Sequence, residues 1–178
     1  KTFSMDKILP LVDHGHNDFG ENKVQEALDK WSEIKLNRDH IKLHLIGKLQ
    51  SNKVKVALKI FDYIHSVDSE KLARKIADEI KKNHRKIKSF IQGNIEREDQ
   101  KSGIGVNDLE TFYNYCLDLN LNVIGLMCIP PFDHNPEEYF SEMQSLNEKL
   151  NLPELSMGMS ADYLKAIKFS STFVRIGS

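Results

Sequence analysis

Hydrophobic positions along the chain alternate between two periods. Short strand-like runs recur, each followed by a longer stretch whose apolar residues fall at three- and four-residue spacing. The first helical stretch is Met5 to Asp13, with Ile8, Leu9 and Val12 on one face. Asp18-Phe19-Gly20-Glu21 then reads as a short strand, and Val24, Ala27, Leu28, Trp31 and Ile34 form the apolar stripe of the helix after it. Six more strand-like runs follow: Leu43 to Gly47, Tyr63 to Val67, Ser89 to Ile95, Val123 to Ile129, Glu154 to Gly158 and Thr172 to Gly177. Helices are predicted between them over Ser51 to Lys59, Ser69 to Asn83, Asn107 to Leu119, Pro136 to Leu150 and Ala161 to Phe169. Ser69 before Glu70, Asn107 before Asp108 and Glu110, and Asn135 before Pro136 supply start signals.

Regular alternation of strand and helix predicts a parallel sheet with helices outside it. Seven strands are countable, and Lys1-Thr2 sits where the tail of an earlier one would be. Eight strand–helix units make a (β/α)8 barrel, although such barrels typically have ~250 residues and at least ~200. The chain has 178. A doubly wound open sheet is the alternative, but no GxGxxG turn follows any strand, so a dinucleotide site has no support. The expectation is an α/β fold of the (β/α)8 TIM-barrel type with its first strand largely missing, one domain over residues 1–178 truncated at both ends.

Composition narrows the chemistry. Hydrophobic residues make up 40% and charged residues 29%, an ordinary globular mixture. Lys plus Arg is 25 and Asp plus Glu is 26, so the net charge of −1 points to neither nucleic acid nor anionic membrane. No apolar run approaches the ~18 residues that span a bilayer. Two cysteines, Cys116 and Cys128, fit a reducing, cytoplasmic setting and read as buried apolar fillers. His14-Gly15-His16 has no acidic or Cys partner at ligand spacing, so no metal site is expected. His44 and His65 lie in strands and read as satisfied core or rim groups rather than bases. The run Lys81-Lys82-Asn83-His84-Arg85-Lys86 closes a helix, where cations favour the dipole, rather than marking an RNA site.

In a barrel the working groups sit at the carboxyl ends of the strands. Two candidate anion loops stand there. Ser156 to Ser160 offers hydroxyls, small residues and free N–H groups before a helix, and Arg175 to Ser178 ends the last strand with Gly and Ser. Loops after the seventh and eighth strands are the recurrent phosphate site of such barrels. A lysine ending the first strand would point into the mouth, where desolvation favours Schiff-base chemistry. On chemistry alone, a solvated chain end is the simpler account of Lys1.

A resemblance changes that balance. Asp18-Phe19-Gly20-Glu21-Asn22-Lys23-Val24-Gln25-Glu26-Ala27 resembles the FGENxVQE motif of the pyridoxal-phosphate homeostasis protein family, which is also described as alanine-racemase N-terminal-domain-like. His44-Leu45-Ile46-Gly47-Lys48-Leu49-Gln50-Ser51-Asn52-Lys53 resembles its HxIGxLQxNK segment. Further blocks match in order: His65 to Ser69, Lys101-Ser102-Gly103, Gly125-Leu126-Met127 with Ile129-Pro130, Leu155 to Ser160, and Val174-Arg175-Ile176-Gly177. Seven blocks in order span the chain end to end.

The resemblance implies a barrel that binds pyridoxal 5′-phosphate (PLP). Lys1, followed by Thr2, takes the place of the lysine that joins the cofactor aldehyde in the family's VSKT segment. Ser156, Met157, Ser160, Gly177 and Ser178 would hold the phosphate. Arg175 would lie near the pyridine nitrogen, disfavouring its protonation and weakening the ring as an electron sink. Asn22 would face the ring side. An aromatic residue often stands in the family where this chain has Lys23, read here as a change at the rim.

The function so implied is a PLP carrier or buffer in vitamin B6 and amino-acid homeostasis, a monomer that hands the cofactor to PLP-dependent apo-enzymes. The alternative is a PLP-dependent, racemase-like enzyme. Against it, related enzymes carry a second, β-rich domain for which this chain has no room, and none of its tyrosines stands on a strand-end loop facing Lys1. A phosphate-binding barrel enzyme without PLP is the third reading.

Overall fold

Each of the seven strand-like runs forms a parallel strand. The fold is that of a computed structural model describing residues 3–95 and 102–177. Strands β1 (Asp18–Glu21), β2 (Lys42–Leu45), β3 (Tyr63–Val67), β4 (Lys88–Asn94), β6 (Val123–Met127), β7 (Glu154–Met159) and β8 (Phe173–Arg175) pair in the order β1-β2-β3-β4-β6-β7-β8. One further strand, β5 (Ile104–Gly105), adds to the end of β4 off that path. Helices α1 (Met5–Asp13), α2 (Val24–Asn37), α3 (Val54–Ile60), α4 (Glu70–Asn83), α5 (Leu109–Asp118), α6 (Pro136–Lys149) and α7 (Tyr163–Lys168) alternate with the strands.

The sheet curls into a nearly closed barrel, and one side chain shows it. Phe173 of β8 lies 5.6 Å from the His44 ring of β2, 5.8 Å from both Tyr63 and His65 of β3, and 5.4 Å from Phe90 of β4. Those strands are at least three places away from β8 in the sheet, so a flat sheet would hold these rings far apart. Within the same interior layer His44 stacks on Tyr63 at 4.1 Å and His65 on Phe90 at 4.3 Å. The barrel is therefore filled with rings, as barrels of about eight strands are filled by side chains.

Outward-facing strand residues pack against the helices. Leu43, Leu45, Ile64, Ile91, Leu126 and Leu155 are all buried there. Fully buried alanines at Ala27, Ala57, Ala73 and Ala166 let helices sit close to the strands. Glu21 is the exception on the outer face of β1. Its carboxylate is buried and accepts from Trp31 Nε1 at 2.9 Å and from Lys30 Nζ at 3.2 Å, which pins α2 to the end of β1. The acidic residue of the DFGEN run is thus a helix anchor.

Local details depart from the sequence reading in informative ways. The segments from Ser51 and from Val106 begin as 3₁₀ turns, so α3 and α5 start later than the apolar period suggests. Asn135 does cap α6, its side chain accepting from the Glu137 N–H at 3.4 Å. Ser69 does not cap α4: no N–H of the first turn donates to its hydroxyl, which itself donates to Asp68 at 3.3 Å. The basic run after α4 also serves a neighbour: Arg85 Nε donates to the Leu58 carbonyl at 3.0 Å near the end of α3. Strand β5 went unread because two residues carry no period. Gly103, at φ +126°, permits it, since a Cβ there would come within 2.7 Å of the Asn94 nitrogen.

Gly125 sets the tightest approach in the sheet. A Cβ on it would overlap the Glu154 carbonyl of β7 and come within 2.9 Å of Phe90 Cε1. Gly125→Ala is expected to destabilise the fold by about 2–3 kcal/mol through overpacking. Urea denaturation of the two proteins measures it; a difference below about 0.5 kcal/mol, the range of an ordinary surface change, would contradict the close approach.

Candidate functional site

Strand alternation decides which residues reach the barrel mouth. Every second residue of a strand faces inward, so Phe173 and Arg175 of β8 lie on the same interior line, with Arg175 nearer the carboxyl end. Ser156 of β7 and His65 of β3 face the same space. Arg175 Nη1 donates to Ser156 Oγ at 2.9 Å and to the Ser156 carbonyl at 3.2 Å, while Nη2 donates to the Cys128 carbonyl at 2.8 Å. Among the described residues no carboxylate pairs with this guanidinium. Burial pulls its pKa below the ordinary arginine value, and the negative charge of Asp162 opposes that pull.

From Ser156 a line of hydrogen bonds crosses the interior. Ser156 Oγ lies 2.8 Å from His65 Nδ1, His65 Nε2 lies 3.0 Å from His44 Nδ1, and His44 Nε2 lies 3.0 Å from Asp18 Oδ1. His44, His65 and Ser156 are buried, whereas the Asp18 side chain is 56% exposed at the other end. Both imidazoles are satisfied interior groups, as expected of strand histidines. Burial lowers the His44 pKa against the opposing hydrogen bond and charge of Asp18. Burial holds His65 well below its ordinary value, helped by the His44 and Arg175 charges.

The loops of the mouth are tied to one another. Gly158 has φ +91° and lies so close to α7 that a Cβ would sit 2.6 Å from Ala166 Cβ. Gly177, at φ +140°, donates its N–H to Ser160 Oγ at 3.2 Å, which joins the two predicted anion loops. Met157 stands apart from that surface. Its side chain is fully buried in the hydrophobic core and its N–H donates to Ser171 Oγ at 3.3 Å. Asn22 follows β1 directly, and the backbone of Gly47 presses on it so closely that a Cβ at Gly47 would come within 2.8 Å of Asn22 Cα. At the rim, Lys48 Nζ donates to Ser102 Oγ at 3.0 Å and lies 3.9 Å from Asp68.

Of the residues singled out from sequence, Asn22, Ser160, Arg175 and Gly177 lie at the carboxyl ends of strands, whereas Ser156 is buried in the middle of β7; contacts link Ser156 to Arg175 and Ser160 to Gly177. Lys1 and Ser178 lie outside the described residues. Sequence reasoning passed over the partnership of Asp18, His44 and His65 with that group. The available signal was the parity of His44 and His65 within their strands, which puts both on the interior face. Among the described residues no cluster of His, Cys, Asp or Glu is arranged to hold a metal. Both cysteines are buried free thiols with pKa values pushed up to about 12 by burial.

Comparison with known proteins bears on this mouth directly. The family model for the alanine racemase N-terminal domain matches residues 2–178. The pyridoxal phosphate homeostasis protein of Aquifex aeolicus is 38% identical over all of this chain and 82% of its own length. The chain belongs to the pyridoxal phosphate homeostasis protein family. Its human relative of that name is also 38% identical, with 72% of its length covered. PipY of Synechococcus elongatus, solved with PLP bound, superposes with a TM-score of 0.89 at 32% identity over 99% of this chain and 87% of PipY. An alanine racemase of Clostridium difficile shares the barrel at TM-score 0.72 and 14% identity, over 97% of this chain and 46% of the racemase, a likeness of fold alone. The homeostasis-family barrel and the barrel expected from sequence are thus the same.

The buried histidines give this family member a defined acid response. A histidine whose folded pKa is depressed below 6.5 binds its proton more readily when unfolded, so its contribution to stability is complete above pH 6.5 and is lost as pH falls through the folded value. Urea midpoints are expected to decline as the pH is lowered below 6.5. His65→Gln, which cannot ionise, should show a shallower decline; an unchanged slope would contradict burial of the neutral ring.

Proposed function

We propose that this chain binds PLP in the barrel mouth and acts as a carrier that holds and releases the cofactor, in keeping with its homeostasis relatives. The observation that carries the reading is the half-buried Arg175 guanidinium. It faces the mouth without a carboxylate partner among the described residues and beside a lone-pair-rich, acceptor-lined wall. A donor-only group in that position suits a neutral ring nitrogen. The anionic end of the ligand suits the joined loops of Ser160 and Gly177, whose left-handed glycines bring backbone close to a bound group. PipY, a relative of the same length class and fold, has been solved with PLP bound.

In this reading Ser156, Ser160, Gly177 and Ser178 surround the phosphate, with Met157 shaping the loop from the core side. Asn22, braced by Gly47, lies beside the ring. PLP when bound would supply an aldehyde, and Lys1 would offer the primary amine that holds it. Arg175 would donate to the ring nitrogen and so disfavour its protonation, which suits storage of the cofactor better than turnover. Tyr63, a potential acid or base, sits inside the barrel with its hydroxyl taking a bond from Lys88 at 3.3 Å, at the amino-terminal end away from the mouth. The carrier is proposed to work as a monomer in the cytoplasm and to deliver to apo-enzymes. Among the described residues no helix is long and apolar enough to cross a membrane.

Borohydride reduction of the PLP-loaded protein, followed by peptide mass mapping, tests the assignment. The pyridoxyl group is expected on Lys1, and Arg175→Leu should weaken PLP binding about tenfold or more, the scale of one lost charged hydrogen bond. A pyridoxyl group found on Lys48 at the rim instead of Lys1 would overturn the site.

A further inference from the structure

The line of hydrogen bonds through the barrel has a direction. A guanidinium only donates and a carboxylate only accepts, and these two groups stand at its ends. The order is fixed from the carboxylate: Asp18 only accepts, so His44 donates from Nε2 and, being neutral, is bare at Nδ1. His65 therefore donates from Nε2 to His44 Nδ1 and is bare at Nδ1 in turn. The Ser156 hydroxyl must then donate to His65 Nδ1 while its oxygen accepts from Arg175 Nη1. Every hydrogen between the two ends is thereby assigned.

We propose that His44 and His65 are positioning residues for Arg175, locked as Nε2–H tautomers, and that a proton taken up at the Asp18 end reorients the Ser156 hydroxyl at the mouth. The second part follows from the donor count. A His44 ring that gains one proton from solvent carries N–H groups on both nitrogens and no longer accepts from His65. His65 then releases its Nε2 proton to water and takes another from water on Nδ1, the tautomer change of a ring in exchange with solvent. That ring gains no net charge, and the single proton gained is the one on His44. Ser156 Oγ now meets two donors, His65 Nδ1 and Arg175 Nη1, and its own hydrogen turns out of the line. A single net proton at a partly exposed edge of the barrel is thus felt some three side chains away.

The groups facing the two rings define what else could titrate them. Asp18 on β1 and Tyr63 on β3 face His44, with Asp62 favouring and Lys35 opposing its charge. Phe90 on β4, Ser156 on β7, and Phe173 and Arg175 on β8 face His65. His44 is the ring next to the exposed carboxylate, so it is the entry point.

The idea extends the PLP reading, and its test has two arms. The first needs no cofactor. Long-range proton–nitrogen NMR of histidine-labelled protein at neutral pH should show Nε2–H neutral patterns for both rings, assigned by their disappearance in His44→Gln and His65→Gln. An Nδ1–H or cationic pattern on either ring overturns the direction. The second arm titrates PLP by absorbance. His65→Leu should bind about tenfold more weakly than the parent, and His65→Gln, whose amide can donate to His44 and accept from Ser156, should restore affinity to within about twofold. Equal binding by His65→Leu, or equal weakness in His65→Gln, overturns the positioning role. His44→Gln keeps the donor order without ionising, so its affinity should fall less than the parent's as pH drops below 6.5. Superposable profiles overturn the coupling. Should the parent not bind PLP at all, the cofactor reading fails while the NMR arm still judges the direction.

Discussion

A positive charge held inside a barrel is the constraint on which the site depends. Taking an ion even partly out of water is costly, and the half-buried Arg175 has no carboxylate beside it among the described residues to offset that. The charge is met instead by two strand carbonyls and one hydroxyl, backed by two neutral imidazoles that end on a carboxylate near solvent. Such an arrangement works only if β2, β3, β7 and β8 keep their registers. A slip of one residue would turn His44, His65, Ser156 or Arg175 into the apolar helix layer. Gly125 and Gly158, where backbone approaches backbone or helix too closely for a side chain, help hold those registers.

The architecture was legible because barrels repeat. Seven strands and seven helices each announce themselves by period, and the repeated order leaves few topologies. Their edges were less legible. A 3₁₀ turn at Ser51 and another at Val106 look the same as helix in an apolar pattern, and Ile104–Gly105 is too short to have a pattern. Capping was no more legible: Asn135 accepts an N–H of its helix and Ser69 does not, although both stand at the same kind of position.

The mouth was partly legible for a related reason. Residues at strand ends are easy to list once a barrel is assumed, which is how Asn22, Ser160, Arg175 and Gly177 came together. Met157 shows the limit of listing, because neighbours in a strand face opposite ways and its side chain belongs to the core. Asp18, His44 and His65 show the other limit. Each has an ordinary explanation by itself, and only distances across three strands reveal that they form one line with Ser156. Pairing between distant parts of a chain is the information that a local pattern does not carry.

The layer of rings beneath Arg175 has one more consequence. With Phe173, His65, Phe90, His44 and Tyr63 packed against one another, the interior beneath Arg175 is a floor of rings and the barrel is not an open tube. Under the carrier role proposed above, a molecule that receives cofactor would have to approach the same face that holds it, so that storage and delivery would compete for one doorway.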